Sequence, residues 1–368
     1  MRVLLCGGGT AGHVMPAIAI AEIIEKRFKG SVIAFAGRKD GSENNAYLKT
    51  GRRLYTIDIQ GISRSLTINN VKSIFKVIKS GRTARKIFHN FNPDVIIGTG
   101  GYVCYPFIKE GQRMKIKTVI HESNVAAGLV TRMLGHKCDL LLLNLEGAKK
   151  NLKNAKNTLV VGNPTRKNFD SLTKADARKK LRIPEGKKLI VSFGGSLGAD
   201  LINKTIASLI AQHTLSNKEI YHIHATGKSH FDKFKQDYPE LFKKHSNATI
   251  LPYIDDMPTV LTAADLAITR SGAITISELA RSSTPSILIP SPNVTANHQY
   301  FNAEYMKNIG AATLIEEKDL NVERLKEEVL GVVSSPIKSC EMARKAKDAY
   351  IEETDVLIAN ALSALIKR

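Results

Sequence analysis

The chain has 368 residues, of which 43% are hydrophobic and 24% are charged. That length allows two domains with sizeable cores, and the composition is typical of a globular protein. No apolar run approaches membrane-spanning length and no signal-peptide pattern precedes the first strand, which predicts a protein of the cytoplasm. The four cysteines form no Cys-x-x-Cys pair, which argues against a zinc cluster and a disulfide framework.

The charge balance is strongly basic, with 54 Lys and Arg against 34 Asp and Glu and a net charge of +20. This predicts an anionic partner. Nucleic acid is disfavoured because the chain has no Trp, only 6% aromatic residues and no recognisable nucleic-acid-binding motif. An anionic membrane surface or a phosphorylated substrate fits better, and a diffuse basic surface that serves solubility is the alternative.

A glycine-rich loop, Gly7 to His13, follows the first predicted strand, Val3 to Leu5. Its glycines formally match the dinucleotide fingerprint. The second predicted strand ends in Gly37-Arg38-Lys39, however, where that fold needs an acidic residue to hold a ribose. The hypothesis of a nicotinamide-dependent oxidoreductase is therefore supported by the glycines alone.

The helix after this loop is expected to run from about Pro16 to Phe28, because proline is favoured at the first helical position. The loop would then be long, with His13 at its exposed tip. Histidine is the side chain best suited to move a proton near neutral pH, although a single loop histidine is more often incidental.

A basic amphipathic helix is predicted beyond Gly61. Apolar residues recur at i, i+3, i+4 and i+7 between lysines and arginines. The helix could lie on an anionic bilayer, or it could bury its apolar face in the domain and leave a solvated basic side. The residues proposed to meet a membrane are Ile74, Phe75, Ile78, Lys72, Lys76 and Lys79.

Polar clusters follow the next predicted strands. Tyr102 follows the strand Val95 to Ile97, while Glu122 and Asn124 follow the strand Thr118 to Ile120. Open parallel sheets bind their ligands at the carboxyl ends of their strands. These turns are therefore candidates for one shared site.

A second round of strand, glycine loop and helix begins at Leu189 and continues through Gly194 to Gly198. The repeat predicts an α/β protein with two doubly wound domains and a boundary near residue 163. His222 and His224 alternate along a later strand and are interpreted as structural residues rather than metal ligands.

The segment Thr269 to Ala303 carries the strongest ligand signal of the second domain. A strand runs into a helix that begins near Ala273, and the N–H groups at a helix N-terminus attract anions. Glu278 lies about 7.5 Å further along the helix, which suits a carboxylate that accepts ribose hydroxyls. Read alone, the segment is more simply interpreted as a capped helix with an early Glu that complements the helix dipole.

Six motifs together resemble the MurG family of N-acetylglucosaminyltransferases, in glycosyltransferase family 28, across nearly the whole chain. They are Gly8-Gly9-Thr10-Ala11-Gly12-His13, Gly98 to Val103, His121-Glu122-Ser123-Asn124, Gly162 to Arg166, Gly194 to Ala199 and Arg270 to Glu278. The resemblance implies a GT-B fold with two Rossmann-like domains that face a cleft. The expected domains are 1–163 for the acceptor and membrane, with a helix at about 342–368 returning to it, and 164–341 for the UDP-sugar donor.

The resemblance also implies the reaction and its residues. GlcNAc would pass from UDP-GlcNAc to the C4 hydroxyl of the muramoyl unit of lipid I, with inversion, giving lipid II and UDP. His13, Glu122 and Tyr102 would be the catalytic and acceptor-facing residues, with His13 favoured as the base and Glu122 as its rival. The residues expected to bind substrate are Thr10, Ala11, Gly12, Asn124, Arg166, Ser196, Ile254, Gly272, Ala273, Ile274, Thr275, Ile276, Ser277, Glu278, His298 and Gln299.

No cofactor or metal is expected, because the chain has no Asp-x-Asp motif to hold a bridging ion. The resemblance places the protein on the cytoplasmic face of the bacterial membrane and implies contacts with other cell-wall synthesis proteins. The sequence departs from the family at Cys104-Tyr105 and at Ser283-Thr284. The alternatives are a GT-B enzyme that glycosylates another lipid such as diacylglycerol, and a non-catalytic protein that binds nucleic acid or membrane.

Overall fold

The structure is a computed structural model that describes residues 1–41, 43–59, 68–152, 155, 157–165, 169, 172–195, 197–243 and 247–367, without the side chains of residues 11, 68–78 and 151. The chain forms two compact units. The first consists of Met1–Thr165 with Ile351–Arg368, and the second of Arg166–Tyr350. Each is built on one parallel sheet, which confirms the predicted α/β class with two doubly wound halves.

The sheet of the first unit has seven strands in the order β3-β2-β1-β4-β5-β6-β7. These strands are rich in Val, Ile and Leu because helices cover both faces of the sheet. The strands are β1 (Arg2–Cys6), β2 (Val32–Arg38), β3 (Arg53–Ile57), β4 (Val95–Gly98), β5 (Lys117–Glu122), β6 (Leu140–Leu143) and β7 (Thr158–Val160). The helices are α1 (Ala11–Arg27), α2 (Asn44–Leu48), α3 (Ile68–Phe91), α4 (Cys104–Arg113) and α5 (Leu129–Leu134).

The second unit repeats this topology with six strands in the order β10-β9-β8-β11-β12-β13. Its strands are β8 (Lys188–Phe193), β9 (Ile220–Ala225), β10 (Ala248–Leu251), β11 (Leu266–Thr269), β12 (Ser286–Leu288) and β13 (Ala312–Leu314). Its helices are α6 (Lys174–Lys180), α7 (Asp200–Leu209), α8 (Phe231–Asp237), α9 (Met257–Ala263), α10 (Ala273–Arg281), α11 (His298–Asn308), α12 (Val322–Val333) and α13 (Pro336–Asp348).

The last helix, α14 (Thr354–Ile366), belongs to the first unit and packs on α1. Its Ile358 and Leu362 are buried in the same hydrophobic cluster as Ile20 and Ile24 of α1. This cluster covers one face of the sheet, and a second one with α3 and α4 covers the other.

The predicted start of α1 is wrong. The helix begins at Ala11, and Pro16 lies inside it. Proline has no N–H, so position 16 cannot bond the carbonyl of Gly12. The expected long loop is therefore a short one, and His13 lies in the first helical turn instead of at a loop tip.

In both sheets the strand order reverses at the first strand of the unit. β1 lies between β2 and β4, and β8 lies between β9 and β11. Ligands bind at such a switch point, outside the carboxyl ends of the strands. The loops that follow β1, β4, β8 and β11 are therefore the candidate ligand-binding loops. Within the described part of the chain, no helix combines the length and apolar character that crossing a bilayer requires.

Candidate active site

Two glycine loops interlock at the switch point of the first unit. Gly8 donates its N–H to the carbonyl of Gly100 at 3.3 Å. A Cβ atom on Gly101 would lie 2.2 Å from the carbonyl oxygen of Gly8, and Gly101 has a φ of +81°. Only glycine fits at position 101, because it tolerates both the close approach and the left-handed backbone.

His13 is held between these loops. Its backbone carbonyl accepts a hydrogen bond from Thr99 Oγ1 at 2.7 Å, and its Nδ1 lies 3.0 Å from the carbonyl oxygen of Gly8. A carbonyl can only accept, so Nδ1 carries the proton in the neutral ring and Nε2 keeps its lone pair. This tautomer makes Nε2 a proton acceptor. Thr99 thus orients the histidine, a role that its place in the second glycine motif did not reveal.

Glu122 is buried at the end of β5, with 6% of its surface exposed. Its Oε1 accepts from the backbone N–H and the side-chain amide of Asn124, at 3.1 and 3.3 Å. Its Oε2 accepts from the N–H of Gly128 at 2.9 Å and from the hydroxyl of Thr131 at 2.6 Å. The carboxylate therefore pins the turn that carries Asn124.

Tyr102 is half-buried, and its phenolic oxygen accepts from Nη1 of Arg38 at 3.3 Å. The neighbouring His121 is buried and donates from Nε2 to the carbonyl of Gly162 at 3.1 Å. Burial lowers the pKa of His121. His121 is a structural link between β5 and the segment after β7, whereas Tyr102 remains at the ligand edge.

Two residues of the α2 region support the first glycine loop from below. Tyr47 donates its hydroxyl to the carbonyl of Gly7 at 2.9 Å. Glu43 is 5% exposed, and a Cβ atom on Gly8 would lie 2.5 Å from its Oε1. Sequence reasoning missed both, since neither belongs to a motif and their contacts arise only from the tertiary fold.

In the second unit, α10 begins directly beyond β11 with Gly272 as its N-cap. Gly272 has no side chain to cap the helix, and the N–H groups of the first turn, including Ile274 and Thr275, lack partners within a helix. Ile276 differs because its N–H already bonds the carbonyl of Gly272 at 2.9 Å and its side chain is 1% exposed. Of the predicted anion-binding residues on this helix, 272–275 thus remain the candidates.

Further along α10, Ser277 and Glu278 are 7% and 5% exposed. The hydroxyl of Ser277 donates to the carbonyl of Ala273 at 3.0 Å, within the helix. Glu278 is the sixth of the nine residues of α10, so its carboxylate lies beyond the first turn, in the second half of the helix. Its burial means that water competes weakly for any hydroxyl it binds.

The loop after β12 is tied to the start of α10. Ser271 donates its hydroxyl to the carbonyl of Gln299 at 2.7 Å, and Asn302 donates its amide to the carbonyl of Ser271 at 3.1 Å. Gln299 Oε1 accepts from the N–H of Ser291 at 2.9 Å, and His298 Nδ1 donates to Thr295 at 2.7 Å. His298 and Gln299 are thereby brought to the same edge as α10.

The glycine loop of the second unit, which follows β8, also lies at this edge. A Cβ atom on Gly198 would lie 2.1 Å from the carbonyl oxygen of Thr226, so the loops after β8 and β9 touch through their backbones. Ile254 is 3% exposed and lies between β10 and α9. Only its backbone groups are therefore candidates for contact with a base.

Some predicted residues cannot be placed. Arg166 and Ser196 lie outside the described residues. The backbone of the basic helix is described as α3, but the side chains at positions 72, 74, 75, 76 and 78 are not. Lys79 is exposed, as are Arg82 and Lys86 further along the same helix.

His222 and His224 lie in the core of the second unit. His222 Nε2 and His224 Nδ1 each lie 2.8 Å from Oγ of Ser192. Burial lowers the pKa of His222 to about 3 and that of His224 to about 4. Both rings are therefore neutral around Ser192. Across the described ranges, no three His, Cys, Asp or Glu residues group so that they could hold a metal ion.

Comparison with known proteins defines the class. Residues 3–142 match the glycosyltransferase family 28 N-terminal domain, and residues 189–358 match the glycosyltransferase family 28 C-terminal domain. The fold is similar to a MurG crystal structure from Acinetobacter baumannii, with a TM-score of 0.79 at 24% identity over 99% of both chains. It is also similar to a calicheamicin glycosyltransferase, with a TM-score of 0.70 at 14% identity over 100% and 98% of the chains. The protein is thus a glycosyltransferase with the GT-B fold.

A relative from Acetivibrio thermocellus is 39% identical over 100% of this chain and 99% of its own length. That relative is named a UDP-N-acetylglucosamine--N-acetylmuramyl-(pentapeptide) pyrophosphoryl-undecaprenol N-acetylglucosamine transferase. The chain belongs to this family, the MurG family.

Proposed function

We propose that the protein transfers GlcNAc from UDP-GlcNAc to the C4 hydroxyl of the muramoyl unit of lipid I, with inversion, releasing lipid II and UDP. The observation that carries this proposal is the 39% identity to a relative of that name along the full length of the chain. Residues 1–163 would bind the acceptor and residues 164–341 the donor, so the match includes both halves of the reaction.

The local geometry suits the chemistry on the acceptor side. His13 Nε2 takes the proton of the C4 hydroxyl as its oxygen attacks the anomeric carbon. Nδ1 stays on the Gly8 carbonyl and holds the ring in position. Glu122 is the weaker candidate for the base, because four donors already surround its carboxylate.

On the donor side, the first turn of α10 stabilises the charge that grows on the departing diphosphate. Glu278 accepts the ribose hydroxyls, Ile254 contacts uracil through its backbone, and His298 and Gln299 meet the sugar. Arg166 and Ser196 complete the proposed diphosphate contacts.

The deciding assay measures UDP release from UDP-GlcNAc with a lipid I analogue, beside diacylglycerol and beside a reaction that contains a chelator. We expect release with lipid I alone as acceptor, and the same rate with chelator. Release of UDP with diacylglycerol but not with lipid I would show that the acceptor is diacylglycerol and not lipid I. A chelator-sensitive rate would contradict a reaction without a metal.

The same proposal places the protein on the anionic inner leaflet of the cytoplasmic membrane through α3. Exposed Lys79, Arg82 and Lys86 form a basic face on the described part of that helix. Each basic residue near an anionic surface contributes about 1 kcal/mol. Flotation with vesicles that contain phosphatidylglycerol should retain the wild-type protein and lose Lys79→Glu/Arg82→Glu. Equal flotation on neutral vesicles would contradict this orientation.

A further inference from the structure

Arg38 is the residue that excluded a dinucleotide site in the sequence, yet it lies at the ligand edge of the first unit. It ends β2, which is hydrogen-bonded to β1, so its side chain emerges beside the first glycine loop. We propose that Arg38 recognises the diphosphate of the acceptor and sets specificity for it. This inference rests on the proposed function, because it names the acceptor group that the same site reads.

Two neutral groups hold the Arg38 guanidinium in place. Nη1 donates to the hydroxyl of Tyr102 at 3.3 Å, and Nη2 donates to the carbonyl of Asp40 at 3.4 Å. Each terminal nitrogen carries two N–H groups, so a second donor remains on each. Two parallel donors in a rigid plane are the arrangement that binds a phosphate bidentately.

The Arg38 guanidinium forms no ion pair within the described part of the chain. Glu43, the nearest acidic residue along the chain after Asp40, accepts the backbone N–H of Arg38 at 3.3 Å and not its guanidinium. Among the residues that the structure describes, no carboxylate lies within ion-pair distance of the guanidinium. By contrast, Arg52 nearby is paired with Glu25. A half-buried guanidinium that is held by hydrogen bonds and forms no ion pair among the described residues favours an anionic ligand.

The surroundings of Arg38 connect it to the reacting groups. A Cβ atom on Gly9 would lie 3.9 Å from the ring of Tyr102, so the residue that holds Arg38 also borders the glycine loop of His13. The Tyr102 oxygen accepts from Arg38 and can still donate its own proton. An anion here would meet two Nη donors and one hydroxyl, next to the loop that orients the base.

A diphosphate can come from the acceptor or from the nucleotide, and kinetics separates the two. Arg38→Ala is compared with Arg38→Lys and with the matched control Arg53→Ala, which removes an arginine at the amino end of β3 in the same unit. The KM values are measured for UDP-GlcNAc and for acceptor analogues with a diphosphate or a monophosphate link. UDP affinity is measured by calorimetry.

We expect Arg38→Ala to raise the KM for the diphosphate acceptor by about 10-fold to 100-fold. The monophosphate acceptor should be affected less, the UDP-GlcNAc parameters should stay within about twofold, and Arg38→Lys should recover part of the loss. An unchanged acceptor KM, an equal rise for both acceptors, or a rise confined to UDP-GlcNAc would overturn the proposal. Failure of the wild-type protein to use lipid I as an acceptor would instead contradict the proposed function. Arg38→Lys keeps the test valid should the alanine variant not fold.

Discussion

The two units share a topology but differ in what their ligand edges present. In the first unit, side chains that can carry charge or protons, His13, Glu122 and Arg38, are fixed by hydrogen bonds to loops and turns. In the second unit, the edge presents a helix start at Gly272 and a buried carboxylate at Glu278. The same doubly wound frame thus carries the groups proposed for the chemical step in one unit and those proposed for nucleotide binding in the other.

The largest expected effect concerns His13. His13→Ala should lower turnover by about 10²-fold to 10⁴-fold, because it removes the proposed general base. The KM for UDP-GlcNAc should change little, since the groups proposed to bind the donor lie in the other unit. Steady-state kinetics with a lipid I analogue is the measurement. His89→Ala, which changes an exposed histidine on α3, is the control, and wild-type turnover in His13→Ala would remove His13 from the mechanism.

A substitution at Glu278 tests the proposed donor binding by the second unit. Glu278→Ala should raise the KM for UDP-GlcNAc by about 10-fold to 100-fold, because hydrogen bonds to a charged group contribute about 1.5–3 kcal/mol. Turnover at saturating donor should fall much less. Glu327→Ala, an exposed change on α12, provides the comparison. A loss of turnover without a change in KM would mean that the second unit also takes part in the chemical step.

A substitution at Glu122 tests whether this residue stabilises the turn or acts as the general base. Glu122→Gln places an amide N–H₂ against donors such as Gly128 and Thr131, so it should lower the free energy of unfolding by about 1–3 kcal/mol. The acidic limb of the pH–rate profile, which reports protonation of the base, should keep its position. Thr131→Val removes one donor and should give a smaller loss of stability. A pH–rate profile that loses its base in Glu122→Gln would make Glu122 the base instead of His13.

The smallest effect concerns pH and the buried histidines of the second unit. Their pKa values, about 3 for His222 and about 4 for His224, lie below the unfolded value of 6.5. The unfolded chain therefore binds more protons, and stability is lost as the pH falls from about 6.5 towards 4. Each histidine should contribute a slope of up to about 1.4 kcal/mol per pH unit.

Urea unfolding at pH 7, 6 and 5 measures that slope. His222→Gln should reduce it, whereas His230→Gln removes a histidine of the same unit without touching the Ser192 network. An unchanged slope in His222→Gln would mean that the buried pair does not control acid stability. It would also weaken the contrast between structural histidines in the second unit and the proposed catalytic histidine in the first.

Much of the fold could be predicted from the sequence because apolar strands followed by glycine loops leave a clear local pattern. The strands beginning near Val3 and Leu189 and the helix at Ala273 follow from it. The start of α1 was mispredicted because the prediction relied on the preference of proline for the first helical position. In the structure, residues 11–15 already form a helical turn before Pro16.

The supports of the site could not be predicted in the same way. Thr99 bonds His13 across 86 positions and Arg38 bonds Tyr102 across 64. Such pairs depend on strand order, which places β2 and β4 on either side of β1. The sequence indicated which residues could react, and the tertiary structure shows what holds them.

The division of roles between the two units is tested most directly by the affinity for UDP. Calorimetric titration of UDP into His13→Ala should give a dissociation constant within about twofold of the wild type. Glu278→Ala should bind UDP about 10-fold to 100-fold more weakly. Equal weakening in both variants, or a loss in His13→Ala alone, would contradict the separation of chemistry from nucleotide binding.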